Sequence, residues 1–233
     1  PTNGGLVQPA AEIGKAAREV GALFLLDACQ RAGQMPLDVE VNGCDILSAT
    51  SRKYLRGPRG VGFLYVRKEV IPSLVPPMLD LHAATWIAHD RYEIRSDARR
   101  FENWEANIAG KLGLGRAVDY ALALGLDRIW ATVSERAASL RGRLASIPGV
   151  TVRDLGAVQC GIVTFTVDSV ESDEIVEALA RKNINTVSSS VFSTRYDMES
   201  RRQTKFVRAS VHYLTTEEEI ELLAGQVGRL ARA

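Results

Sequence analysis

The chain has 233 residues, 46% hydrophobic, 24% charged and 6% aromatic, and its 29 basic and 28 acidic residues leave a formal net charge of +1. A chain this long buries roughly 70–75% of its unfolded surface when it folds as a unit, so a sizeable core is available; the near-neutral balance argues against a general nucleic-acid binder, which needs a basic surplus to displace counterions from phosphates. No apolar run reaches the roughly 18 residues of a membrane span, and Cys29, Cys44 and Cys160, odd in number and widely spaced, fit the reducing cytoplasm rather than a disulfide framework.

The opening Pro1-Thr2-Asn3-Gly4-Gly5 reads as a loop already inside a domain. After Pro9, Ile13, Ala16, Ala17 and Val20 recur at helical spacing up to Gly21, which predicts a helix over 10–20. The unbroken apolar run Ala22-Leu23-Phe24-Leu25-Leu26 then ends at Asp27, and two similar runs follow at 45–49 and 61–66. Such runs suit strands buried on both faces of a parallel sheet, and helix followed by buried strand is the grammar of an α/β layered domain. Residues 72–100, with Pro72, Pro76 and Pro77 and then His82, Trp86 and His89, read as a long loop or short helices. Helices are predicted over 105–124, closed by Gly125, and over 127–147, ended by Pro148-Gly149. The rhythm then changes, with strands at 150–153, 161–167, 185–188 and 205–213 and helices at 172–182 and 216–230. Ser172 with Glu174 and Thr216 with Glu219 offer cap-like starts. This second part predicts a smaller α+β domain, with the boundary near residue 125.

The chemistry concentrates between Asp27 and Gly62. Asp27 stands at the carboxyl end of an apolar strand, where α/β sheets bind ligands, and an acid there is costly to bury without a cation. Past the next strand, Thr50-Ser51-Arg52-Lys53 supplies hydroxyls, a guanidinium and an amine, a set able to hold a phosphate and to offer a nitrogen nucleophile. Taken singly, Asp27 is more often a loop cap, Lys53 a surface lysine, and Gly57-Pro58-Arg59-Gly60 a hairpin turn. Together they are more specific, because acid, amide, phosphate-binding groups and lysine gather at two successive strand ends. His82, His89 and His212 have no metal-ligand spacing, so no metal site is expected.

These residues resemble a known family. Asp27-Ala28-Cys29-Gln30, Ser48-Ala49-Thr50-Ser51-Arg52-Lys53 and the run from Gly57 to Val66 are similar to class V aminotransferases. Arg100-Phe101-Glu102 and Val207-Arg208-Ala209-Ser210 with Thr215-Thr216-Glu217 agree. These are fold-type I pyridoxal-phosphate enzymes and include cysteine desulfurases, selenocysteine lyases and isopenicillin N epimerase. The resemblance implies an α/β fold: residues 1–125 as the carboxyl-terminal part of a pyridoxal-phosphate-binding large domain, mainly a parallel sheet with helices, and 126–233 as a small α+β carboxyl-terminal domain. The chain would then be only the carboxyl-terminal part of an enzyme.

The resemblance also assigns roles. Lys53 would form the aldimine with pyridoxal 5'-phosphate and later act as the base at the substrate Cα. Asp27 would pair with the pyridine nitrogen, Gln30 would donate to the phenolic oxygen, and Thr50 and Arg52 would bind the phosphate, Arg52 standing where relatives often carry histidine. Arg208 would clamp the α-carboxylate of an amino-acid substrate, and Thr2 or Asn3 would reach the bound substrate. A cytoplasmic homodimer is implied as well. Two departures stand out. The stretch 187–204, where desulfurases carry a persulfide-forming cysteine, contains serines and no cysteine. Asn103-Trp104-Glu105 replaces a run in which relatives place a threonine that reaches the partner's phosphate. The expectation is therefore a lyase or aminotransferase working through a Cα carbanion, and not a persulfide-forming desulfurase. An amino-acid epimerase and a non-catalytic relative serving binding or oligomerisation are the alternatives.

Overall fold

The structure, a computed structural model, describes residues 3–232. The chain divides into two units, one of residues 9–124 and one joining the residues up to Gln8 to those from Gly125 onward.

In the first unit, helix α1 (Ala10–Glu19) buries Ala10 and Gly14 and packs on the short α2 (Val39–Asn42). Asp38 starts α2 by accepting from the N–H groups of Glu40 and Val41 at 2.8 and 3.1 Å, and Gly43 ends it at φ 61°. Strands β1 (Leu25–Asp27), β2 (Ile46–Thr50) and β3 (Gly62–Val66) form a sheet in that order. β1 runs parallel to β2, and β3 runs antiparallel to it. The expectation of strands buried on both faces meets a limit here. β1 and β3 are edge strands, and Leu25 and Leu64 stay 55% and 45% exposed, whereas the central β2 buries Leu47 and Ala49.

Within 72–100, expected as loop or short helices, the chain makes 3-10 turns at Ile71–Ser73 and Ala98–Phe101 and a hairpin of β4 (Ala84–Ala88) and β5 (Arg91–Ile94). Helix α3 (Ile108–Leu124) begins later than periodicity suggests, because Asn107 accepts from the Gly110 N–H at 2.8 Å and so takes the capping position. Its small residues Gly110, Gly113 and Ala117 lie against Val61, Pro58 and Gly57. That face backs the turn leading into β3.

The second unit contains α4 (Leu126–Ala145), β6 (Val150–Val152), β7 (Ile162–Val167), α5 (Ser172–Ala180), β8 (Val187–Ser190), α6 (Arg195–Ser200), β9 (Lys205–Ser210) and α7 (Glu217–Leu230). Its sheet has the order β6-β7-β9-β8, antiparallel throughout. Val163, Phe165 and Val207 from the sheet meet Leu140, Ile175 and Ile220 from α4, α5 and α7 in one core. Each large apolar side chain fully buried there contributes about 1.5–3 kcal/mol relative to its exposure to water. Thr216 and Glu219 close a reciprocal capping box at the start of α7. Ser172 does not cap α5: it is the first helical residue, and Glu171 in front of it makes no side-chain cap bond. Among the described residues no helix is long and apolar enough to cross a membrane.

Candidate functional site

Parallel pairing sets the cluster in the unit of residues 9–124. Asp27 stands opposite Ser48, and the Ala28 N–H donates to the Ser48 carbonyl at 2.8 Å, so the chain leaves β1 and β2 at the same end of the sheet. Asp27 Oδ1 accepts from the Cys29 N–H at 2.9 Å. Burial alone would raise the Asp27 carboxyl, but hydrogen bonds from the Cys29 thiol and N–H, together with the charge of Lys53, outweigh it and hold this group below the ordinary carboxylate range. The same contact acts in reverse on its neighbour. Burial first, then the Asp27 carboxylate, pushes the Cys29 thiol up, so Cys29 stays protonated beside the acid.

Lys53 lies in the turn that follows β2, half-buried, between the fully buried Ser51 and the buried Tyr54. The turn is closed by backbone bonds from Ser51 N–H to Val61 O, Arg56 N–H to Lys53 O and Gly57 N–H to Ser51 O, at 3.1, 2.9 and 2.9 Å. Ser51 Oγ has no hydrogen-bond partner among the described residues. It packs against Gly57 so closely that a Cβ there would lie 2.1 Å from it. Only glycine lets the chain fold back at that point. Gly33, at φ +82°, does the same work between turns: a Cβ on it would lie 2.6 Å from the Leu55 nitrogen. The turn carrying Gln30 is thereby held against the turn carrying Lys53.

The donor set suits pyridoxal phosphate. A protonated pyridine needs an ionised carboxylate, which the environment of Asp27 provides. A phosphate needs hydroxyl and guanidinium donors, which Thr50 and the exposed Arg52 present from one strand end. Lys53 is near enough to Asp27 to lower its pKa, so amine and acid share one electrostatic environment.

The predicted substrate-binding residues Arg208 and Asn3 belong to the other unit. Arg208 is on β9, the strand flanked by β7 and β8, opposite Thr164 on one side and Val187 on the other. Its Nε donates to Ser210 Oγ at 3.1 Å. Asn3 is buried, with 4% of its surface exposed. Its amide donates to Thr194 Oγ1 at 2.5 Å, while its Oδ1 has no partner among the described residues. Thr2 lies outside the described residues. The loop bearing Asn3 is tied down by a buried ion pair, in which Arg141 Nε meets Asp154 Oδ2 at 2.7 Å with the Asp154 side chain fully buried. Asp154 Oδ1 also accepts from Gly5 N–H, Thr164 N–H and Thr164 Oγ1, while Arg141 donates to the Cys160 and Ile162 carbonyls. A buried pair satisfied to this degree fixes its surroundings, because loss of either member strands a charge.

Asp27, Gln30, Thr50, Arg52 and Lys53 thus belong to the unit of residues 9–124, and Asn3 and Arg208 to the other. Sequence reasoning missed the Arg141–Asp154 pair and the Asn3–Thr194 contact. The latter joins residues 191 positions apart, and no local pattern marks a partner at that separation.

Comparison with known proteins bears on these observations. The family model described as "Aminotransferase class-V" matches residues 2–223. A probable cysteine desulfurase of Methanothermobacter thermautotrophicus is 32% identical over 230 residues, covering 97% of this chain and 58% of the relative. The apo structure of a cysteine desulfurase from Thermococcus onnurineus NA1 superposes with a TM-score of 0.92 at 27% identity, over 98% of this chain and 57% of that one. The cystine C-S lyase C-DES, in complex with its product cysteine persulfide, gives 0.84 at 27% identity, over 97% of this chain and 58% of that one. The chain therefore spans a little more than half the length of these three relatives.

These matches correct one expectation. The missing cysteine in 187–204 argues against a persulfide-forming desulfurase, yet relatives 27–32% identical along nearly the whole chain are named cysteine desulfurases. Expulsion of sulfide from a carbanion at the substrate Cα would break the C–S bond without a protein thiol, so the absence of a cysteine from one stretch does not exclude desulfuration. The lyase-or-aminotransferase reading built on that exclusion is withdrawn. The mixed α/β fold matches those of cysteine desulfurase structures. Family membership, and the glycine-bound lysine variant of C-DES with its covalently linked cofactor, support pyridoxal phosphate as the cofactor of this chain. With a family match from residue 2 to residue 223, the chain belongs to the class V aminotransferase family.

Proposed function

We propose that this chain forms part of a pyridoxal-phosphate desulfurase, an enzyme that removes sulfur from a cysteine-type amino acid. The observation that carries this reading is the placement of Asp27 and Lys53 at the ends of the neighbouring parallel strands β1 and β2, in a chain similar to cysteine desulfurases along nearly its whole length. When bound, the cofactor supplies an electron-withdrawing ring that acidifies the substrate Cα. The chain's residues supply the rest. Asp27 would hold a proton at the ring nitrogen, Gln30 would donate to the phenolic oxygen, and Thr50 and Arg52 would bind the phosphate. Lys53 would hold the aldehyde end of the cofactor and would take the proton from the substrate Cα at its Nζ. Arg208 pairs with the substrate α-carboxylate through its two-pronged guanidinium, and Asn3 offers its unpaired Oδ1 to the substrate.

The finer architecture belongs to the same proposal. The unit of residues 9–124 would be the carboxyl-terminal part of a fold-type I large domain, and the part from residue 126 onward the small α+β domain. Three free cysteines support a reducing, cytoplasmic setting, and the protein would act as a homodimer.

The test begins with the chain purified in the presence of pyridoxal phosphate and reduced with borohydride. Peptide mapping should find the cofactor on Lys53, and Lys53→Ala should lose it. Incubation with L-cysteine and a thiol reductant should then release sulfide. An unlabelled Lys53 would overturn the cofactor assignment, whereas labelling without sulfide release would overturn the substrate class.

A further inference from the structure

Two strand ends meet at Cys29, a free and only partly exposed cysteine to which the function above gives no role. Asp27 is the last residue of β1 and pairs in parallel with Ser48, and the Ala28 N–H continues that ladder to the Ser48 carbonyl at 2.8 Å. The next residue, Cys29, therefore comes level with Thr50, the last residue of β2. On the other flank of β2, the Ser51 N–H donates to the Val61 carbonyl, so strand alternation turns the Thr50 N–H toward β1.

Cys29 answers both strand ends. Its N–H donates to Asp27 Oδ1 at 2.9 Å. Its thiol donates to the same carboxylate, and its sulfur accepts from the Thr50 N–H. One side chain is thus donor to the acid that ends β1 and acceptor from the main chain that ends β2. A free cysteine more often serves only as a small apolar filler, and a thiol is a weak hydrogen-bonding group in either direction. A filler would leave both contacts unexplained, because a methyl group in the same place makes neither.

We propose that Cys29 is a positioning residue for pyridoxal phosphate: its thiol ties the Asp27 carboxylate to the Thr50 end of β2, and so sets the separation between the group for the ring nitrogen and the group for the phosphate. This rests on the assignment of Asp27 and Thr50 to the cofactor. A rigid ring carries its nitrogen and its phosphate arm at a nearly constant distance. A carboxylate left free to rotate must be ordered as the ring binds, at a cost in affinity, whereas one already held is in place beforehand. Cys29 acts through these neighbours and takes no part in bond making.

Equilibrium dialysis with pyridoxamine 5'-phosphate tests the role, because this probe presents ring and phosphate without an aldehyde for Lys53 and so reads the non-covalent contacts alone. Cys29→Ala should raise its dissociation constant about three- to tenfold, the worth of one ordinary hydrogen bond. Cys29→Ser keeps a donor and an acceptor in the same place and should stay within about twofold of the wild type. In an Asp27→Asn background, Cys29→Ala should cost less than it does alone, about twofold or under, since the charge it steadies is gone. Far-ultraviolet circular dichroism controls for folding. Unweakened binding by Cys29→Ala, or a Ser variant as weak as the Ala variant, would overturn the positioning role. An equal loss from Cys29→Ala in both backgrounds would overturn it too, as the mark of packing alone. Unchanged binding by Asp27→Asn itself would overturn the cofactor assignment of Asp27, and the positioning role with it.

Discussion

Asp27 is the residue on which the proposed cofactor cluster turns. Its carboxyl lies below the ordinary range because the Cys29 N–H and thiol and the Lys53 charge favour the anion against the opposing effect of partial burial. A depressed folded-state pKa contributes in full above the ordinary carboxylate value of about 3.9 and is lost as pH falls through the lower folded value. Cofactor retention that depends on this anion should therefore be flat from pH 8 to pH 5 as far as Asp27 is concerned, and should fall only at more acidic pH. Asp27→Asn removes the anion at every pH and should weaken cofactor retention about tenfold or more at neutral pH, since hydrogen bonds to charged groups contribute roughly 1.5–3 kcal/mol. Equilibrium dialysis against pyridoxal phosphate measures both effects. Equal retention by the wild type and the Asn variant at pH 7 would show that Asp27 does not meet the ring nitrogen. Cys29, its neighbour, is the opposite case: the acid that favours a protonated ring keeps this thiol protonated and so a poor nucleophile.

At the scale of elements, the site depends on how turns pack behind strand ends. Gly33 holds the turn after β1 against the turn bearing Lys53, at a positive φ and with no room for a methyl group. Gly33→Ala should destabilise the chain by about 2–4 kcal/mol, combining a strained left-handed backbone with overpacking against main-chain atoms. It should also lower borohydride labelling of Lys53. Urea unfolding reads the first effect, and a loss within about 0.5 kcal/mol, as at an ordinary surface site, would show that the two turns are not locked together. The adjacency of these strand ends was legible in the sequence, since two short apolar runs each stop at polar, chemistry-bearing residues, and parallel strands place such ends side by side. The box of Thr216 and Glu219 was legible for a local reason as well, because both partners lie within one helical turn. The β4–β5 hairpin was not. Its turn at His89-Asp90 lacks the glycine-containing pair that signals a tight hairpin, and its exposed aromatic residues match no one-sided pattern of burial. The cap of α5 was misread because a serine near a helix start fits either the cap or the first turn. Arg141 with Asp154, and Asn3 with Thr194, depend on chain reversals that local periodicity does not encode.

At the scale of the whole molecule, the division of labour between units makes cofactor binding a test of architecture. All five residues assigned to the cofactor lie within residues 9–124, a unit whose edge strands keep Leu25, Phe63 and Leu64 partly exposed. That unit has less of its apolar surface covered than the other, whose helices and sheet enclose Phe165, Val207 and Ile220 almost completely. Ligand that binds only the folded state stabilises by about 2.7 kcal/mol at a free concentration a hundred times its dissociation constant. For a chain of this size, each 1 kcal/mol raises the melting temperature by roughly 2–4 °C. Saturating pyridoxal phosphate should therefore raise the calorimetric transition that carries residues 9–124 by about 5–10 °C, on the same two relations. Lys53→Ala keeps the phosphate and pyridine contacts but loses the covalent anchor, so it should retain less than half of that shift at the same cofactor concentration. Arg208→Ala, in the other unit, should leave the shift intact while weakening amino-acid binding to the loaded protein. Equal loss of the cofactor shift in both variants would remove the separation between a cofactor unit and a carboxylate-binding unit. A wild-type transition that does not move with pyridoxal phosphate would show that this chain's strand ends do not hold the cofactor.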